Sequence, residues 1–136
     1  MRPCLILLVA AGLVISAIVV RSSVRAAARR KRETGYTGAL KAYSDALHPG
    51  MTRKDVEGYL RSRNTQFTWV WTAFGGRRES QYADLVKIGE ETAPWYCSEA
   101  YVYVAFEFSA VNDFHRQTDS DALQGIEIFR PYTGCL

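Results

Sequence analysis

Chemistry in a protein needs nucleophiles, titratable groups or metal ligands at workable spacing, and this sequence holds few of them. Its histidines are His48 and His115, and its cysteines are Cys4, Cys97 and Cys135. No C-x-x-C or H-x-x-x-H spacing occurs. Zinc usually takes four ligands, so Cys97, Cys135 and His115 make a poor site for it. Glu90-Glu91 reads as a solvated loop rather than a general-acid pair. Gly75-Gly76 before Arg77-Arg78 is explained more simply as a hairpin turn than as an anion cradle, and Ser98-Glu99 has no evident histidine base. The expectation is a non-enzyme that carries no cofactor and no metal.

Cys97 and Cys135 are best placed to react with each other. If the last two strands form a hairpin, its loop runs from about 109 to 123 and centres near residue 116. Antiparallel partners lie symmetrically about that centre, and both cysteines stand 19 positions from it. They should then meet at the open end of the hairpin, within reach of a disulfide. Two unrelated buried thiols are the alternative.

The elements that position these residues can be read from apolar spacing. Cys4–Val20 holds 17 residues without a charge, and Ser16 is its one polar side chain. As a helix it would span roughly 25 Å, the short end of what a bilayer core requires. The reading is a single membrane-spanning anchor. Arginines crowd the small-residue sites Val24-Arg25-Ala26 and Ala26-Ala27-Ala28, which argues against cleavage as a signal peptide. Arg21, Arg25, Arg29 and Arg32 follow at helical spacing on one face. They form either a collar against anionic headgroups or a solvated linker helix.

Charge is split along the chain. Residues 1–32 carry seven basic side chains and no acid, whereas residues 33–136 hold ten basic against all 14 acidic ones. The folded part is therefore mildly acidic, which disfavours nucleic acid as a partner. The expected organisation is an anchor with its basic segment over 1–32 and a globular domain over 33–136.

Within that domain, Tyr36, Leu40, Tyr43 and Leu47 make a one-sided helical stripe over 33–47. His48-Pro49-Gly50 stops it. Thr52, with Asp55 three residues on, caps a second helix to about Arg63 that buries Val56, Tyr59 and Leu60. Strands are expected over Gln66–Ala73, Tyr82–Ile88 (closed by Gly89), Ala100–Phe108 and Leu123–Arg130, with a turn at Phe74–Arg78 and a polar segment over 112–121. The order ααββββ predicts an α+β fold, with two helices on one face of a four-stranded antiparallel sheet. The other face is expected to carry Trp69, Trp71, Tyr101 and Tyr103 as a protein-binding surface; filling of the core is the alternative.

Pro49-Gly50-Met51-Thr52-Arg53-Lys54-Asp55-Val56 followed by Leu60 resembles the helical opening of the SmpA/OmlA-type small outer-membrane lipoproteins and the related β-lactamase-inhibitor-like domains. The resemblance implies two helices on an antiparallel sheet and a domain that binds proteins rather than catalysing. No lipidation cysteine follows the apolar run, and Asn64 stands where those families have a Gly-x-Pro exit, so the lipid anchor is not carried over.

The reading is a membrane-anchored, non-catalytic interaction module, an accessory of an envelope protein complex. The alternatives are an envelope enzyme or small-ligand binder whose site forms only in three dimensions, and a secreted inhibitor-like protein. Two arguments oppose each other on sidedness. Six basic residues after the span favour a cytoplasmic domain, and the cysteine pair favours an oxidising compartment outside. The cysteine pair tips the expectation toward a domain outside the cytoplasm.

Overall fold

A computed structural model describes residues 2–72, 81–109 and 116–136, with residues 2–15 as backbone only. The chain divides into two units, Met1–Gly35 and Tyr36–Leu136. A single helix α1 runs Arg2–Ala46 and contributes to both.

In the first unit, residues 16–32 are exposed, Ile18, Val19, Val20 and Val24 included. Among the described residues no helix is long and apolar enough to cross a membrane. Most of the apolar run 4–20, Cys4 included, falls where side chains lie outside the described residues. So do Arg2, the turn expected at 74–78, part of the polar segment 112–121, and His115.

In the second unit the expected stripe holds. Tyr36 and Leu47 are buried, and Leu40 and Tyr43 pack against the same core. Helix α2, Arg53–Ser62, starts as its sequence predicts: the Thr52 side chain accepts from the Asp55 N–H, and its hydroxyl donates to the Asp55 carboxylate at 2.6 Å. Asn64 ends it. With φ at 55° it occupies the left-handed region, the Asn64 N–H reaches the Arg61 carbonyl, and the Thr65 N–H reaches that of Leu60. Those two bonds satisfy carbonyls that the last turn would leave open.

The sheet is antiparallel in the order β1-β2-β3-β4, with β1 at Thr68–Thr72, β2 at Gln81–Glu90, β3 at Glu99–Ser109 and β4 at Ala122–Phe129. A short fifth strand, β5 at Tyr132–Thr133, pairs with the start of β3. It prolongs β4 past Arg130-Pro131, where proline supplies no ladder donor. Val102, Val104, Phe106 and Phe108 of β3 are fully buried on one face, and the last three form the main core with Val86, Leu123, Leu47, Val56 and Leu60. Each such side chain contributes roughly 1.5–3 kcal/mol by leaving water. Both helices therefore cover one face of the sheet. The α+β class is confirmed.

Gly89 does not close β2 but lies within it, beside a bulge in the pairing with β3. The reason is steric. A Cβ there would lie 2.7 Å from the ring edge of Tyr36, whose hydroxyl donates to the Glu90 carbonyl at 3.4 Å. Only glycine lets α1 seat this closely. We expect Gly89→Ala to destabilise the domain by about 1–3 kcal/mol. The same change in a Tyr36→Ala background should cost much less, because the clash is with that ring. Denaturant titration of the four proteins in the cycle measures the coupling, and additive effects would contradict it.

Candidate interaction surface

The register decides which aromatic side chains share a face. Trp69 is the cross-strand partner of Asp84, Trp71 of Tyr82, and Tyr82 in turn of Phe108. Trp69 and Trp71 therefore stand on the helix-covered face, and Tyr101 and Tyr103 on the opposite one. The expectation that all four share the free face is corrected. Edge strand β1 takes its facing from its register with β2, which alternation within β1 alone does not reveal.

On the helix side, Trp69, Trp71 and Tyr82 form a ledge along the β1 edge. Trp71 lies 4.5 Å from the Tyr82 ring and Trp69 5.9 Å from it, centroid to centroid. Trp69 stays 60% exposed and Trp71 42%. Indole carries a large apolar area and one N–H donor, a combination enriched where proteins meet.

The opposite face holds a smaller apolar cluster of Ala83, Leu85 and Ala105, with Val70, Tyr103 and Phe129 against it. The Tyr101 and Tyr103 rings meet edge to face at 6.1 Å. Lys87 sits 3.8 Å above the Tyr101 ring and pairs with Glu90. The hydrogen bond to Glu90 raises the Lys87 ammonium above its usual range, and one to Glu99 raises the Tyr101 phenol. A surface hollow of about 260 Å³ opens among Gln66, Phe67, Thr68, Leu85, Lys87 and Tyr103. It falls below the roughly 300–1,000 Å³ common for small-molecule sites. Glu107 is buried on this face and accepts from the Gln81 side chain at 2.7 Å.

Cys97 and Cys135 form a disulfide. The ladder shows why: Glu99 pairs with Thr133, Tyr103 with Phe129 and Glu107 with Gly125, all symmetric about residue 116. A bulge beyond Glu107 shifts only the loop end of the hairpin. Such bonds persist in oxidising compartments. Joined to each other, the two sulfurs offer no thiolate to a metal. Among the described residues no group of three or more His, Cys, Asp or Glu side chains is placed to hold one. His48 lies in the turn between the helices, where its backbone N–H donates to the Met51 sulfur at 3.3 Å.

No family model, curated protein or solved structure matches this chain.

One group escaped the sequence reading. Arg53 falls on the apolar stripe of α2 with Val56 and Leu60, and it is buried. Its Nη1 lies 2.6 Å from the Asp84 carboxylate, its Nε lies 3.6 Å from that of Asp121, and the Phe108 ring lies 4.0 Å beneath the guanidinium. A basic side chain in register with the apolar stripe is the signal that could have revealed it, because a buried arginine needs a buried acid.

Proposed function

We propose that the chain is a membrane-anchored, non-catalytic protein-interaction module whose domain lies outside the cytoplasm as an accessory of an envelope complex. Exposed apolar surface carries this reading. Ile18, Val19, Val20 and Val24 project from the helix more than half exposed, which suits burial in lipid. The Trp69–Trp71 ledge suits a protein partner. Arg21, Arg25, Arg29 and Arg32, all exposed, would meet anionic headgroups just beyond the apolar run. The disulfide supports the outward placement, against the charge bias. The likeness of the Pro49–Val56 turn to SmpA/OmlA-type and β-lactamase-inhibitor-like domains agrees with a binding role.

Two assays on intact cells test it. The chain should stay in the membrane pellet through alkaline carbonate washing, and an impermeant maleimide should label Cys97 and Cys135 only after reduction. Release by carbonate would remove the anchor. Free thiols that label only after permeabilisation would put the domain in the cytoplasm. For the ledge, a photo-cross-linker at position 69 should give adducts that Trp71→Ala abolishes, while one at Lys41 should give none. Equal adducts from both positions would remove the docking role.

A further inference from the structure

The contact between α2 and the sheet holds more charge than packing requires. Arg53 from α2 and Asp84 from β2 are both about 1% exposed, as is Asp121 just before β4. Their pairing is incomplete. Arg53 Nε and Nη2 and Asp84 Oδ2 are buried without a hydrogen-bond partner among the described residues. Asp121 is held in part by Thr118, whose N–H and hydroxyl both donate to it. One guanidinium thus faces two carboxylates. From the same helix Glu57 adds a negative field at Asp84, and Arg61 partly offsets it. The cross-strand neighbours of Asp84, Trp69 and Phe106, carry no charge. A buried site with an excess of acid is relieved by binding a proton.

We propose that Asp84 is a proton-operated seat for α2: taking up a proton tightens the helix on the sheet, and losing it loosens the helix. Burial pushes the Asp84 carboxyl up to about 6, with the charge of Arg53 pulling against it and that of Glu57 adding to it. The sign follows by linkage. An unfolded aspartate titrates near 3.9, so the folded state holds the proton more tightly. The stabilisation is complete below the unfolded value and is lost as pH rises through about 6. Between pH 5 and pH 7 the folding equilibrium constant should fall about tenfold. The consequence for binding rests on the ledge reading above. Trp69 is the cross-strand partner of Asp84 on the same face, so a change in how α2 sits on Asp84 reaches the strand pair that carries the ledge and makes docking there dependent on pH.

The test uses the full chain in micelles at constant ionic strength. The Asp84 carboxyl carbon is titrated by NMR, and unfolding is measured in denaturant at pH 5 and pH 7. Titration near 6 with the tenfold loss is expected, and Asp84→Asn should flatten the pH dependence. A carboxyl that stays ionised down to pH 4, or the same slope in both proteins, overturns the proposal. If Asp84→Asn does not fold, the carbon titration decides alone. Loss of cross-linking at position 69 would remove the docking role while leaving this titration intact.

Discussion

Arg53→Ala should cost the domain about 3–5 kcal/mol at neutral pH, because it leaves buried carboxylates without their counter-charge. Asp84 is 1% exposed and makes its 2.6 Å ion pair with Arg53. Truncation also uncovers the face of Phe108, whose ring centroid lies 4.0 Å from the guanidinium. The loss should shrink at pH 5, where the Asp84 carboxyl, raised by burial, takes up a proton. Arg53→Met combined with Asp84→Leu should recover part of the loss, because it removes one of the two carboxylates that Arg53→Ala strands. Lys41→Ala is the control. Its pair with Asp45 spans one turn of α1, with side chains 73% and 62% exposed, and such pairs contribute about 0–1 kcal/mol. Denaturant unfolding of the four proteins at two pH values makes the comparison. Equal, small losses for Arg53→Ala and Lys41→Ala would show that the cluster does not hold α2 in place.

Reducing the Cys97–Cys135 bond should lower stability by about 3–4 kcal/mol and the melting temperature by roughly 15–25 °C. The bond closes a loop with a sequence separation of 38, and that constraint removes freedom mainly from the unfolded chain. The native strands nearest the bond add little hold of their own. β5 pairs with β3 at two positions, Glu99–Thr133 and Ala100–Tyr132. Among the described residues the loop before β3 is tied to the C-terminal segment by backbone bonds from the Ser98 N–H to the Thr133 carbonyl and from the Leu136 N–H to that of Tyr96. Fraying should therefore begin there, with early amide exchange at Tyr132 and Thr133. The double variant Cys97→Ala/Cys135→Ala should melt near the reduced protein and be indifferent to reductant. A shift of less than about 2 °C on reduction would mean that the ladder alone fixes this end of the sheet.

What the sequence determined by itself is whatever depends on local spacing. The stripe of Tyr36, Leu40, Tyr43 and Leu47 and the Thr52–Asp55 cap follow from the helical period, and the Val102–Phe108 alternation follows from the strand period. The cysteine pair was legible because an antiparallel hairpin obeys a mirror rule: once its centre is placed near 116, every partner follows, and the bulge beyond Glu107 leaves the open end in register. Tertiary structure alone decided what depends on two elements meeting. Trp69 and Trp71 could face either way until β1 took its register on β2. Gly89 looked like a strand end until the Tyr36 ring came to occupy the space above it. Arg53, Asp84 and Asp121 lie far apart along the chain and carry the charges usual for a surface. Only the docking of α2 on β2 and β4 removed them from water, and that desolvation is what raises the Asp84 carboxyl.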